Sequence, residues 1–321
     1  MGTRVSGAQA RPPSGEQISL ELGPQRATVV EVGGGLRAYA LGSWDVIDGY
    51  GVHERCGGGR GQPLIPWPNR LGDGRYPWAG SELQLDLSEP ARGNAIHGLV
   101  RWRNWELRAR DPTRAVLGHV LHGEPGYPFM LDLELEYALE PRGLTVTTSA
   151  CNIGPEPCPY GAGMHPYVSL GAPSINGAIL TVPAARRLVA DERGIPVGEE
   201  PVAAGPLDFR APRAIGGAQI DACFAGLDRD QGGNVRVGLR APDDSRAVTL
   251  WASREYDYVM VFTGDTLPEG QRRRGVAIEP MTCAPDAFRS GAGLVRLEPG
   301  ERHAARWGIE PSDRTHAPAG D

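Results

Sequence analysis

The sequence predicts an all-β protein, a large antiparallel β-sandwich with few short helices, on three observations. Its 45 glycines and 29 prolines are spread along the 321 residues and cut the apolar runs short. Segments with a two-residue period recur; the clearest is FMLDLELEYALE (129–140), where Phe129, Leu131, Leu133, Leu135, Tyr137 and Leu139 alternate with acidic residues. No window of helical length carries an apolar stripe free of Gly and Pro.

Taken in order, residues 1–15 read as a loose polar tail without the apolar run of a secretory signal. A single sandwich domain is expected over 16–310, and 311–321 reads as a second loose tail. A chain of this length can bury one core without disulfide or metal staples. The 129–140 strand meets Pro141-Arg142-Gly143, a turn that sends the chain back as LTVTTSACNI with Leu144, Val146, Thr148 and Ala150 on one face, so the two form a hairpin. AILTVP (178–183), NVRVGLRA (234–241), AVTLWAS (247–253) and YDYVMVFTG (256–264) are further strands. GAGMHPYVSLG (161–171) reads as a buried strand until Met164-His165-Pro166 interrupts it, since Pro166 cannot donate to a ladder.

Composition removes several function classes. The formal net charge is −6 and the pI about 5.7, with no basic stripe to track phosphates, so nucleic acid is not an expected partner. The chain contains no lysine, which excludes Schiff-base and phosphate-loop lysine chemistry. No run reaches the length of a membrane span. Cys56, Cys151, Cys158, Cys223 and Cys283 are odd in number and form no CxxC pair, as expected of reduced structural thiols in a cytoplasmic protein.

Five polar residues stand at the edges of apolar runs beside Gly or Pro: Arg70, His97, His165, Asp221 and Glu279. Glu279 is the oddest, a carboxylate set into the apolar strand GVAIEPM and followed by a proline. Each has a bland reading as well. A histidine at a strand end is more often structural, Glu279 can pair with a buried arginine, Arg70 can cap a turn, Asp221 can close an Asx-turn, and Trp67 and Trp102 can be core. Metal binding by His97, His165, Asp221 and Glu279 lacks any HExxH, HxH or CxxC spacing, so no metal is expected. His119 and His122, three apart on a strand, point to opposite faces and read as surface residues. No GxSxG elbow is present.

The ordered segments PNRLGDGRYPWAG, NAIHGLVRWRNWEL, GEPGYPFMLDLELEYAL, GAGMHPYVSLG, IDACFAGL, AIEPMTCAPDAF and LEPGERHAARWGI resemble the aldose 1-epimerase (galactose mutarotase) family over roughly residues 20–310. The resemblance implies a cofactor-free and metal-free sandwich enzyme that interconverts the α and β anomers of a free aldose. It also implies that His165 protonates the ring oxygen and Glu279 takes the anomeric hydroxyl proton, while Arg70, His97 and Asp221 hold the sugar.

Those residue types suit the reaction on chemical grounds, because opening a hemiacetal ring needs one acid and one base, and an imidazole and a carboxylate supply them near neutral pH. Arg70 is expected to keep Glu279 ionised, and Trp67 to offer an apolar face to the pyranose. The compact GMHPY segment and Ala222 after Asp221 depart from galactose-type members and put galactose in question as substrate. Arg272, Arg273 and Arg274 are a candidate contact for an anionic hexose, with a solvated loop as the bland alternative. Two rival functions stand beside the epimerase: a non-catalytic sugar-binding or regulatory protein, and a glycoside hydrolase using Glu279 and Asp221. The expected state is a monomer or weak homodimer.

Overall fold

The computed structural model describes residues 11–315. About 49% is strand and 3% helix, and the one α-helix among the described residues is the single turn Ala287–Ser290. The predicted hairpin supplies the third and fourth strands of a nine-stranded antiparallel sheet. Leu131–Glu140 pairs with Gly143–Asn152, Glu140 opposite Gly143 and Leu131 opposite Asn152. Leu131, Leu133, Leu135, Tyr137 and Leu139 are buried, as are Leu144, Val146, Thr148 and Ala150 opposite them. The intervening acids are neutralised across the strands, Arg108 bonding Asp132 and Arg114 bonding Glu136. The other strands foreseen from alternation are present as Ile179–Thr181, Val235–Arg240, Arg246–Ala252 and Tyr258–Phe262.

Arg302–Asp313 lies between Gly143–Asn152 and Arg246–Ala252. It continues past residue 310, where a loose tail was expected, because Pro311 to Asp313 pair with Val248 to Arg246. The tail residues 1–10 and 316–321 lie outside the described residues.

A second sheet carries the site. Its order is Pro196–Pro201, Ala184–Ala190, Asp221–Leu227, Tyr258–Phe262, Val276–Met281, Gly163–Met164 and Pro63–Leu64, with Tyr167–Val168 also pairing with Val276–Met281. The interruption read at His165-Pro166 is real. Two short strands flank it, and the backbone of the break is held by Gly61 N–H donating to His165 O and Ile278 N–H to Pro166 O. Register then decides what faces the cleft. Asp221 opposes Phe262, Met260 opposes Glu279, and Ala277 opposes Tyr167, so the period of two puts Asp221, Phe262, Met260, Glu279 and Tyr167 on one face.

Candidate active site

That face floors a cleft of about 350 Å3, whose walls come from the turns around Cys56 to Gly59, Asn69 to Arg70 and Ser88 to Trp102. His97 sits on the third wall in a left-handed conformation, φ 63°, followed by Gly98 at φ 69°. A Cβ on Gly98 would lie 1.9 Å from Ile65 O, so this turn requires glycine. The backbone N–H of Asn69 donates to His97 Nδ1 at 3.1 Å. That fixes the tautomer: the proton of the neutral ring is on Nε2, available as a donor. Burial, and after it the Arg101 charge, hold His97 well below the ordinary imidazole value.

His165 and Glu279 meet at the floor, Nε2 to Oε1 at 3.3 Å, with side chains 7% and 3% exposed. Burial first, then the Arg101 charge, brings His165 down to about 3. Burial first, then the Asp221 charge, pushes Glu279 well above the ordinary carboxylate range. Both displacements favour the neutral forms, so the pair holds one proton between two groups that differ by a single short transfer. His165 Nδ1 and Glu279 Oε2 are buried and have no hydrogen-bond partner. Unsatisfied polar atoms of this kind cost free energy and cluster where a ligand completes them. The Tyr167 ring stacks on the imidazole at 5.0 Å and 15°, and Arg60 lies 4.8 Å from the centre of the Tyr167 ring. Gly59 closes against His165, and a Cβ there would come within 2.8 Å of its Cδ2.

Arg70 and Asp221 also line the cleft, so five of the six residues singled out from the sequence come together. Two expectations are corrected. Trp67 is core: it is 3% exposed and packs 5.5 Å from the Phe288 ring, beneath the cleft wall and away from its surface. Trp102, by contrast, is 45% exposed at the mouth. Arg70 does not keep Glu279 ionised, because its guanidinium is engaged by Glu89 through Nε at 2.8 Å and Nη2 at 3.0 Å. The remaining field of Arg70 on Glu279 is outweighed by burial.

The arginine run 272–274 does not line the cleft. Arg272 donates to Leu267 O, Arg273 pairs with Asp265 and Arg274 with Asp48. Cys56 does line it, although burial pushes its thiol up to about 11 and keeps it neutral. His119 is half-buried and bonded to Asn104 O, and His122 is exposed. A larger cavity of about 750 Å3 elsewhere is lined by Asp45, Asp48 and Glu54, but no histidine faces it and Asp48 is neutralised by Arg60 and Arg274. Among the described residues no three His, Cys, Asp or Glu side chains converge as a metal-ligand set.

The sequence reading missed Glu89, Tyr167, Arg92 and Arg101. Tyr167 was within reach, two residues beyond His165 and hence on its side of a strand. Glu89 was not, because its link to Arg70 spans 19 residues and depends on topology.

The two sheets and this cleft define a β-sandwich of the galactose mutarotase-like class. Solved structures share the fold: an aldose epimerase homologue from C. elegans has a TM-score of 0.83 at 15% identity, covering 93% of this chain and 99% of that one. Galactose 1-epimerase from Lactobacillus acidophilus has a TM-score of 0.80 at 19% identity, covering 92% and 94%.

The chain belongs to the aldose 1-epimerase family, whose model matches residues 16–310. It is 33% identical over 291 residues to the uncharacterized protein YihR of Escherichia coli K12, covering 90% of this chain and 91% of that protein. It is 29% identical over 169 residues to human galactose mutarotase, about half of each chain. No helix among the described residues is long and apolar enough to cross a membrane.

Proposed function

We propose that the chain is an aldose 1-epimerase that interconverts the α and β anomers of a free aldose, with His165 and Glu279 as its proton-transfer pair. The observation that carries this reading is the pair itself: an imidazole and a carboxyl 3.3 Å apart on the floor of a sugar-sized cleft, each with one buried polar atom unpartnered.

A cyclic aldose brings two oxygens on one carbon to this pair. The anomeric hydroxyl donates its proton to the Glu279 carboxylate while the His165 imidazolium gives one to the ring oxygen, and the C1–O5 bond breaks to leave an aldehyde. Rotation about C1–C2 turns the other carbonyl face to the O5 hydroxyl. Reclosure returns the first proton to O1 and the second to His165, so the enzyme ends as it began. The productive state, imidazolium and carboxylate, has the same single proton as the neutral resting pair. The sugar selects it by offering a donor to the carboxylate and an acceptor to the imidazolium.

His97 donates through Nε2–H, Asp221 accepts from a hydroxyl at the mouth, and Arg70, locked by Glu89, presents its remaining guanidinium edge. A glycosidase reading is less suited, because Glu279 is paired with the His165 imidazole and not with a second carboxyl. The protein is proposed to act as one domain that begins near residue 16 and includes the last strand to Asp313, without cofactor, as a monomer or weak homodimer. Cytoplasm is the proposed location, consistent with five free thiols. Polarimetry on freshly dissolved α-glucose and α-galactose, alongside a chromogenic glycoside, tests the reading. Faster anomer decay with no glycoside cleavage is expected; cleavage, or binding without acceleration, would replace it with one of the two rivals.

A further inference from the structure

His165 faces Glu279 through Nε2, which lies 3.3 Å from Oε1. With one proton on the pair, a neutral imidazole that accepts there from the carboxyl carries its own hydrogen on Nδ1, and an imidazolium carries one there as well. In both states Nδ1–H is a donor, yet the atom is buried and has no hydrogen-bond partner. The His165 carbonyl acts on the ring, but it already accepts from Gly61 N–H. His97 differs, because Asn69 N–H donates to its Nδ1 and fixes its tautomer. Packing sets the plane of the His165 ring, with Tyr167 stacked at 5.0 Å and 15° and Gly59 close to Cδ2. Packing does not choose which ring nitrogen bears the hydrogen; a hydrogen bond does.

The complementary atom belongs to Gln62, immediately before the strand Pro63–Leu64. Its Oε1 is a buried acceptor with no partner, in a residue 2% exposed. The amide is oriented, since Nε2 donates to Arg101 O at 2.8 Å and leaves Oε1 as the free end. Gly163 opposes Leu64 and Met164 opposes Pro63, and the ladder continues with His165 N–H donating to Gln62 O at 3.1 Å. Gln62 is therefore the residue across from His165. Antiparallel residues in that relation send their side chains to the same side of the sheet, with Cβ atoms about 5 Å apart. Gly61 makes the placement possible: at φ 66° it has the left-handed conformation of a glycine bulge, and a Cβ on it would lie 1.9 Å from Leu36 O.

We infer that Gln62 is a positioning residue for His165, its Oε1 taking the Nδ1–H by a small side-chain adjustment or through one buried water. The inference rests on the proposed mutarotase reading and adds to it a residue that does not line the sugar cleft. A third group that holds a catalytic imidazole in one tautomer and supports its cationic form is a recurring device. Here the group is a neutral amide, which supports Nδ1–H without adding a charge that would draw the single proton away from Glu279. The other charged or titratable groups around the ring are Glu279, His97, Tyr167, Arg60 and Arg101, and none of them accepts from Nδ1.

The test combines nitrogen NMR of the intact chain, carrying isotope-labelled histidine, with anomerisation rates on a panel of neutral and anionic aldoses. Nitrogen chemical shifts distinguish the two neutral tautomers, and His165→Ala identifies the signal. Wild type at pH 7 should carry the hydrogen on Nδ1. Gln62→Met, similar in volume but without the acceptor, should move much of the population to the Nε2–H tautomer. It should also lower kcat by about tenfold or more for any sugar that wild type accelerates, with KM changed less than about threefold. Gln62→Glu keeps an acceptor but loses the donor to Arg101 O, so it should retain the Nδ1–H signal and exceed Gln62→Met in kcat. A merely structural glutamine would leave Glu no better than Met. That result, an Nε2–H tautomer in wild type, or unchanged tautomer populations or kcat in folded Gln62→Met, overturns the inference, and anomerisation by wild type leaves the mutarotase reading standing. Acceleration of no sugar overturns that reading instead, and the tautomer comparison still decides whether Gln62 orients the ring. If Gln62→Met does not fold, the wild-type tautomer and Gln62→Glu carry the decision.

Discussion

Glu279→Gln separates stability from turnover in a way that follows from the neutral pair. The folded-state pKa of Glu279 is raised, so its contribution to stability is fully present below the ordinary carboxyl value and is lost as pH rises through the folded value. At pH 8 the native state therefore bears either a buried charge or a proton that the unfolded chain would release. Glutamine removes that burden, and its amide can donate to His165 Nε2 from the 3.3 Å position of Oε1. Each tenfold change in proton affinity is worth about 1.4 kcal/mol. For a chain of this size 1 kcal/mol moves the melting point by roughly 2 °C. The second N–H of that amide nitrogen is left unpaired and offsets part of the gain, about 1 kcal/mol or somewhat more. The variant should therefore melt a few degrees above wild type at pH 8, and the difference should vanish near pH 4. Its anomerisation rate should fall by about a hundredfold or more, the usual loss when a general base is removed. Calorimetry from pH 4 to 8 with polarimetry on the same samples gives both readouts. A lower melting point at pH 8 would refute the reasoning, because it would mean that Glu279 is ionised and stabilised by its surroundings.

Loss of kcat/KM on the acid side requires a second proton on the pair, and with His165 held to about 3 the profile should stay flat between about pH 5 and 7, with no inflection near 6.5. A pH series of initial rates checks this, and an inflection at 6.5 would show the imidazole titrating independently. Gly59→Ala sets a side chain at φ 74° and 2.8 Å from His165 Cδ2, so it should cost about 1–2 kcal/mol in stability and lower kcat by tenfold or more. Melting curves and saturation kinetics read the two effects separately. Asp221→Asn should raise KM several-fold with little change in kcat, since its contact is made equally in ground and transition states. Trp67→Leu should cost about 2–4 kcal/mol in stability with KM for the sugar nearly unchanged, whereas Trp102→Ala should alter KM with little loss of stability.

Much of the sandwich was legible because its signal is local. The alternation of Leu131 to Leu139, the turn at Pro141-Arg142-Gly143 and the proline after His165 each act within a few residues, and each produced the element it predicts. Residues of the cleft were legible where a polar group interrupts an apolar strand, as Glu279 does. What stayed hidden depends on long-range placement. Trp67 and Trp102 look alike in sequence, each beside glycine, proline or arginine, yet the Phe288 ring lies over one and solvent over the other. The arginines at 272–274 look free until folding brings Asp265 to Arg273 and Asp48 to Arg274. Protonation followed the same rule: the chemistry of the His165 and Glu279 side chains is written in the sequence, but the burial that makes both neutral is not.

The most direct measurement is anomer exchange by magnetisation-transfer NMR, with wild type and His165→Ala compared on one panel of neutral and anionic aldoses at pH 7. Wild type should accelerate exchange of at least one sugar far above its spontaneous rate, and His165→Ala should lose about a hundredfold of that acceleration while still binding the sugar. Exchange at the spontaneous rate with every sugar, or undiminished acceleration by folded His165→Ala, would contradict the assignment of His165 and Glu279 as the proton-transfer pair.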